Sequence, residues 1–222
     1  MTRDARTATY AFYVHWSFLM PIRFDSRLDD EDEDDAPEAK KDESPSSMME
    51  KAMFDARTIL LTGEINDKIA RSTCAQLLAY SAVSDKPILL VLSSPGGHVE
   101  SGDMIHDMIK FVRAPVNILG TGWCASAGAL IYSSGEKARR FALPNTRFLL
   151  HEPRGGVGGQ ASDVEIQARE IIKTREQLNR IYADRTGQPI ERIAADMERD
   201  YWMSPAEAKD YGLIDQVIAK RP

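Results

Sequence analysis

Residues 88–112 have the sequence ILLVLSSPGGHVESGDMIHDMIKFV, and this stretch decides the class of fold. Its first five residues, 88–92, form a continuous apolar run that is typical of a strand buried in a parallel sheet. A proline and two glycines follow, and they predict a turn. The remaining apolar residues recur at helical spacing and predict a helix over 99–112; they include Met104, Ile105, Met108, Ile109 and Val112. A strand, a turn and a helix in this order predict an α/β fold.

The same alternation of strands and helices continues on both sides of this stretch. Further strands are predicted at residues 58–61, 116–119, 139–143, 148–150 and 213–218. Further helices are predicted after an N-cap at Asn66, over 125–132, over 162–185 and between a capping box at Ser204 and a closing Gly212. We therefore predict repeated strand–helix units with right-handed crossovers and a functional site at the carboxyl ends of the strands.

The acidic charge of the chain is concentrated in one segment. Residues 25–47 contain eleven acidic and three basic residues, whereas residues 48–222 are neutral and the whole chain carries a net charge of −6. Such a segment is typical of a disordered linker. We predict an N-terminal extension and acidic disordered linker over 1–47 and one catalytic domain over 48–222. A neutral domain offers no basic surface for nucleic acid.

The first residues and the cysteines bear on the cellular compartment. Residues 8–22 are apolar and aromatic but too short to span a bilayer, and no small-x-small cleavage site follows them. We interpret them as a mobile extension or as an artefact of start-site choice, because Met20 and Met48 are later in-frame methionines. The chain has two cysteines, Cys74 and Cys124, without metal-ligand spacing. We expect a cytoplasmic protein with no membrane contact, no metal and no cofactor.

Three residues have the types and the order of a hydrolytic triad. Ser126 lies in GWCASAG at 122–128, His151 in LLHEP at 149–153 and Asp200 in ERDYWMS at 198–204. A serine hydroxyl becomes a good nucleophile when a neutral imidazole accepts its proton, and a third group fixes the tautomer of that imidazole. The pattern predicts Ser126 as nucleophile, His151 as base and Asp200 as the orienting carboxylate.

The residues alone leave alternatives to each of these assignments. Ser126 lies among small residues, which is also typical of a tightly packed helix, and Cys124 is a rival nucleophile. His151 at a strand end is as often structural as functional. Asp196 and Asp215 are carboxylates close in sequence to Asp200.

Two glycine-rich stretches are candidates for binding the substrate backbone. Gly96 and Gly97 follow an apolar strand, and successive glycines let N–H groups approach a ligand and point at an oxyanion. The glycine-rich segment, residues 155–159, follows His151 and is expected to hold an extended peptide by β-addition through Gly155 and Gly156.

Several motifs occur together in a fixed order between residues 57 and 219. They are LSSPGG at 92–97, CASAGA at 124–129, LPN at 143–145, HEPRGG at 151–156, GQASD at 159–163, ERD at 198–200, MSPAEA at 203–208 and YGLID at 211–215. Together they resemble the proteolytic subunit of the Clp protease. The resemblance implies the Clp protease/crotonase-like superhelical fold with a protruding strand–helix handle after His151.

The resemblance also implies a function and an assembly. It assigns Ser126, His151 and Asp200 to the triad, and it assigns the backbone N–H groups of Gly97 and Ala127 to the oxyanion hole. It implies a serine endopeptidase that cleaves unfolded polypeptides inside two docked heptameric rings, with Arg199 in the ring–ring contacts. An AAA+ ATPase unfoldase is the implied partner. Any ATP dependence comes from a partner, because the chain has no Gly-x4-Gly-Lys-Ser/Thr motif.

The chain departs from the family pattern at several positions. Trp123 and Cys124 replace glutamine and alanine before the serine, Ala127 replaces methionine, and Glu152 replaces glutamine. The family's N-terminal axial loop is not recognisable.

There are two alternative functions: a structural or weakly active ring subunit that assembles with a paralogue, and an acyl-CoA enzyme of the crotonase type. Crotonase-type enzymes need no Ser-His-Asp triad, so the triad argues against the second.

Overall fold

The computed structural model describes residues 45–156 and 158–220. The predicted extension and most of the predicted acidic linker, residues 1–44, lie outside the described residues. The helices are α1 (Pro45–Asp55), α2 (Asp67–Val83), α3 (Val99–Phe111), α4 (Ala127–Ser133), α5 (Ala161–Thr186), α6 (Ile190–Met197) and α7 (Pro205–Tyr211). The strands are β1 (Thr58–Thr62), β2 (Ile88–Ser94), β3 (Val116–Ala125), β4 (Arg140–Ala142), β5 (Arg147–Leu150), β6 (Tyr201–Met203) and β7 (Gln216–Val217).

The strands form one sheet. β1, β2, β3, β4 and β7 are neighbours in that order, and each pair runs parallel. One edge of β3 has two neighbours, because residues 118–120 pair with β4 and residues 123–125 pair with β5. β6 pairs with β5 in the antiparallel direction. α2, α3 and α4 connect successive parallel strands, so the predicted α/β class with repeated strand–helix units is confirmed.

The core lies between one face of the sheet and the helices α2, α3 and α4. The inward side chains of the first two strands are almost completely buried; they are Ile59, Leu61, Ile88, Leu90 and Leu92. On the opposite face Leu60 is 59% exposed, and its register partner Val91 is only partly buried. The helices of the single chain therefore cover only one face of the sheet at this end.

The predicted helix boundaries follow from local hydrogen bonds. The side chain of Asn66 accepts a hydrogen bond of 3.0 Å from the Ile69 N–H and so caps α2 as predicted. Ser204 and Glu207 form the predicted capping box of α7, and Gly212 ends that helix with φ of +89°. In α3 the predicted apolar stripe is only partly covered: Ile105 is buried, whereas Met104 is 46% exposed.

The structure corrects the predicted boundary between β3 and α4. β3 does not end at residue 119 but continues to Ala125, and α4 begins at Ala127 and not at Ala125. Gly120 lies within this longer strand, and a Cβ there would crowd the Cys124 sulfur at 3.0 Å and the Tyr132 ring at 3.1 Å, so a glycine fits the close packing. Ser126 therefore lies in the turn between a strand and a helix.

Three elements were not predicted. α1 has no buried residue and contains the predicted domain start, Met48, so the exact start of the catalytic domain stays a prediction. α6 has eight residues and β6 has three, and both are too short to show a clear period. The glycine-rich segment forms no strand at its described residues 155, 156, 158 and 159, so the strand of the expected handle is absent there.

The long helix α5 confirms the predicted helix over 162–185 but is packed along only half of its length. Its buried residues, Leu178, Asn179 and Tyr182, all lie in the C-terminal half. Residues 161–170 are exposed throughout, including Val164 and Ile166. The N-terminal half of α5 thus carries apolar side chains that the single chain does not cover. Among the described residues, no helix is long and apolar enough to cross a membrane.

Candidate active site

Ser126 lies directly after β3, at the N-cap position of α4, and has an unusual backbone conformation. Its φ is +55° and its ψ is −123°, although it is not a glycine. A non-glycine residue at positive φ is strained, and such strain is often found where a nucleophile is exposed at the end of a strand. The Ser126 N–H donates a 3.0 Å hydrogen bond to the Leu149 carbonyl, which fixes the turn against β5.

His151 lies directly after β5 and faces Ser126. The two strands are parallel with Ala125 opposite Leu149, so their carboxyl ends lie side by side. His151 Nε2 is 2.7 Å from Ser126 Oγ. This is hydrogen-bond distance, and it allows the imidazole to accept the serine proton.

Asp200 completes a chain of hydrogen bonds. It directly precedes β6, and the antiparallel pairing of Leu150 with Tyr201 brings it beside His151. His151 Nδ1 is 3.0 Å from Asp200 Oδ1. The imidazole side chain is 13% exposed and the carboxylate is 43% exposed. The structure thus brings all three predicted triad residues together.

The alternative carboxylates have other partners. Asp196 accepts a 2.8 Å hydrogen bond from the Tyr211 hydroxyl. Asp215 forms an almost buried ion pair with Arg140, with 3.0 Å between the guanidinium and the carboxylate. Neither carboxylate is the partner of His151; Asp200 is the carboxylate within hydrogen-bond distance of its Nδ1, and its role as the orienting group stays a prediction.

The rival nucleophile Cys124 is completely buried. Its thiol donates a weak hydrogen bond to the Leu92 carbonyl at 3.6 Å. Burial raises the pKa of the Cys124 thiol well above its ordinary value, because the charged thiolate is disfavoured away from water. Both observations disfavour Cys124 as a nucleophile, since a thiol must ionise to attack.

Gly96 and Gly97 form a turn that packs against the nucleophile. Ile65 donates to the Gly96 carbonyl at 2.8 Å and accepts from the His98 N–H at 2.9 Å. In this parallel bridge the hydrogen bonds of Ile65 go to the residues on either side of Gly97, so the N–H of Gly97 points away from Ile65, and its role as an oxyanion donor stays a prediction. Gly96 touches the site directly, because a Cβ there would lie 2.6 Å from Ser126 Cβ.

The N–H of Ala127 is the second predicted oxyanion donor. Ala127 is the first residue of α4, and the first N–H groups of a helix have no partner within the helix. Gly155 and Gly156, the predicted peptide-binding residues, are exposed, and a Cβ on Gly156 would meet no atom within 4 Å. The space beside Gly156 is open, whereas a Cβ on Gly155 would lie 3.4 Å from Ile171 Cδ1, and the role of both glycines stays a prediction.

Arg154 is a residue at this site whose role the sequence analysis did not predict. Its guanidinium donates a hydrogen bond to Asp200 Oδ1, the same oxygen that faces His151. Glu152, the acidic departure next to the base, pairs with Arg175 of α5 at 3.5 Å. In the sequence, a local sign of a charged site is the pair of oppositely charged residues, Glu152 and Arg154, that flank Pro153 immediately after His151.

The chain is similar to known proteins over most of its length. The Clp protease family model matches residues 40–221. The ATP-dependent Clp protease proteolytic subunit 2 of Gluconobacter oxydans is 57% identical over 200 residues, which cover 87% of this chain and 90% of that protein. The protein of the same description from Pseudomonas aeruginosa is 49% identical over 173 residues, covering 78% of this chain and 86% of that protein. The solved structure of ClpP1 from Listeria monocytogenes matches with a TM-score of 0.71 at 47% identity, and the match covers 78% of this chain and 97% of that chain. The chain therefore belongs to the Clp protease family.

Proposed function

We propose that this chain is a serine endopeptidase subunit that hydrolyses peptide bonds of unfolded polypeptides. The observation that carries the proposal is the continuous chain of hydrogen bonds from Ser126 through His151 to Asp200. Membership of a protease family supports the same reaction. An acyl-CoA enzyme would have no need of this chain of hydrogen bonds.

The geometry supports a two-step acyl transfer. With its proton on Nδ1, His151 donates to Asp200, and its Nε2 accepts the proton of Ser126 as Oγ attacks the substrate carbonyl. The tetrahedral intermediate collapses when Nε2 gives this proton to the leaving amine, and the peptide bond breaks. A water molecule then loses a proton to Nε2, attacks the acyl-enzyme and releases the second product with the Ser126 hydroxyl restored.

The negative charge of the intermediate needs donors that are already in place. In this proposal Gly97 and Ala127 supply two backbone N–H groups, one from the glycine turn after β2 and one from the start of α4. Backbone donors of this kind stabilise the oxyanion without reorganisation, and removal of a single donor typically costs about 3 kcal/mol of transition-state stabilisation.

A fluorophosphonate probe tests the proposed nucleophile. We expect it to modify Ser126 and no other serine, as located by mass spectrometry of the digested protein. Ser101 is a matched control, because it also contacts a histidine and a carboxylate: His98 Nδ1 at 2.9 Å and Asp67 at 2.7 Å. Ser101 donates to the carboxylate and is therefore not activated, so Ser101→Ala should leave the labelling unchanged. An unlabelled Ser126 in the assembled protein contradicts the proposal.

We further propose that the subunit assembles into heptameric rings that dock in pairs through residues 155–185. The exposed apolar residues in the N-terminal half of α5, Val164 and Ile166, support a partner surface there. Two relatives are described as subunits of an ATP-dependent Clp protease. This description supports a separate AAA+ unfoldase as partner. Two buried cysteines without disulfides, Cys74 and Cys124, support a cytoplasmic location.

Arg199→Ala tests the proposed docking of rings. Arg199 is exposed, and within the described part of the chain no carboxylate lies within ion-pair distance of it. We expect smaller particles by sedimentation and roughly 10-fold lower peptidase activity, because truncation of an arginine that is a hot spot of an interface costs about 2 kcal/mol of association. Arg192→Ala is the control, since Arg192 pairs with Asp196 of its own chain at 3.5 Å. A fully active single ring would refute the proposed docking.

A further inference from the structure

Arg154 and His151 share one oxygen of the proposed orienting carboxylate. Asp200 Oδ1 lies 3.0 Å from His151 Nδ1 and accepts a second hydrogen bond from the Arg154 guanidinium. Within the described part of the chain, these are the side chains that contact the Asp200 carboxylate. Arg154 itself does not contact Ser126, so any effect on the reaction passes through Asp200.

Asp200 needs a second contact because it is not enclosed by the protein. Its side chain is 43% exposed, and it lies in the short turn between α6 and β6. Water competes for an exposed carboxylate, and a single hydrogen bond leaves its rotation about the side-chain bonds free. A guanidinium is a planar donor that is always charged, and it holds a carboxylate in a defined orientation.

The backbone that carries Arg154 is fixed on one side only. The Glu152 N–H donates a 2.8 Å hydrogen bond to the Met197 carbonyl, and the Glu152 carboxylate pairs with Arg175. Pro153 then restricts the backbone immediately before Arg154. After Arg154 the glycine-rich segment begins, and a Cβ added to Gly156 would meet no atom within 4 Å. The residue two positions before Arg154 is thus held by a hydrogen bond and an ion pair, whereas a Cβ on Gly155 would contact Ile171 Cδ1 at 3.4 Å.

We propose that Arg154 is a positioning residue: it holds Asp200 in the orientation that keeps His151 aligned on Ser126. This inference rests on the proposed triad. Arg154 lies three residues after His151 and immediately before the glycine-rich segment. Its ion pair with Asp200 therefore connects that segment to the carboxylate.

The test compares Arg154→Met, which removes the charge and the donors, with Arg154→Lys, which keeps the charge. Each full-length variant is assayed with a fluorogenic peptide, using only the fraction that sediments with the size of the unmodified protein. For Arg154→Met we expect kcat to fall roughly 10- to 100-fold with KM changed less than about twofold, because a misaligned base slows the chemical step more than binding. Arg154→Lys should recover most of the lost kcat.

Two controls separate positioning from a structural effect. Arg113→Met removes an equally exposed arginine that pairs with Asp85 at the far ends of the strands, and it should leave kcat unchanged. In an Asp200→Ala background, Arg154→Met should cause no further loss of kcat, because the carboxylate through which Arg154 acts is already absent.

Each outcome of the test decides the inference. An unchanged kcat in Arg154→Met, a loss confined to KM, or an additional loss in the Asp200→Ala background overturns the role of Arg154. An Asp200→Ala variant with full activity overturns the proposed triad itself, so the two failures are distinguishable.

Discussion

Ser126→Ala is expected to reduce peptide hydrolysis by roughly 10⁴- to 10⁶-fold, which is the usual loss when a serine nucleophile is removed. The substitution deletes one oxygen atom, whose partner is His151 Nε2 at 2.7 Å. Alanine has the same Cβ as serine, so the strained φ of +55° is not made worse. The fold and the assembly should therefore be retained while the reaction is lost.

His151→Ala is expected to cause a loss of similar size, and the double variant should be only slightly worse than either single one. Triad members act as a unit, so their effects do not add. The measurement is kcat/KM for a short fluorogenic peptide together with the sedimentation profile. His98→Ala is the matched control, because His98 is 55% exposed and contacts Ser101, Asp67 and Glu100 instead of Ser126. Substantial activity in Ser126→Ala would rule out the mechanism.

The elements that the sequence predicted well are those whose formation depends on residues close together in the chain. Residues 88–92 are apolar without interruption, and they lie within a fully paired central strand. The Asn66 cap and the Ser204 capping box are formed by side chains within three residues of their partners, so their hydrogen bonds depend little on distant packing. Such features survive in almost any tertiary context.

The elements that the sequence did not predict depend on contacts between distant residues. β6 is a strand because Trp202 pairs with Leu149, more than fifty positions earlier in the chain. β3 continues beyond residue 119 and pairs with β5 through residues 123–125, although a glycine inside a strand pattern usually weakens the strand. Neither feature has a local signature.

At the candidate site the sequence predicted which residues take part, and the structure showed which of them lie within hydrogen-bond distance of one another. Ser126, His151 and Asp200 each follow or precede a strand, and the pairing of β3, β5 and β6 brings them together. The choice of Asp200 over Asp196 required the partners of both carboxylates to be known. The contact of Arg154 with Asp200 spans 46 positions of sequence, so the charged residues that flank Pro153 could indicate a charged site after His151 but not the partner of Arg154.

Gly96→Ala is expected to reduce kcat by about 100-fold or more, because displacement of reacting groups by about 1 Å has effects of this size. Gly96 is buried with φ of +103°, and a Cβ there would lie 2.6 Å from Ser126 Cβ and 2.9 Å from the Ala125 carbonyl oxygen. Both neighbours belong to the turn that carries the nucleophile and have no flexible end that could move aside. Either the glycine turn or Ser126 must shift, and each shift disturbs the path from Ser126 to His151.

Gly63→Ala separates this steric effect from the cost of the backbone conformation. Gly63 has φ of +87°, and a Cβ there would meet no atom within 4 Å. Its substitution should therefore cost only about 1–2 kcal/mol of stability for a left-handed alanine, with kcat unchanged. Thermal unfolding and peptidase kinetics of both variants provide the comparison. If Gly96→Ala behaved like Gly63→Ala, with a small loss of stability and normal kcat, the contact between the glycine turn and the nucleophile would have no part in holding Ser126.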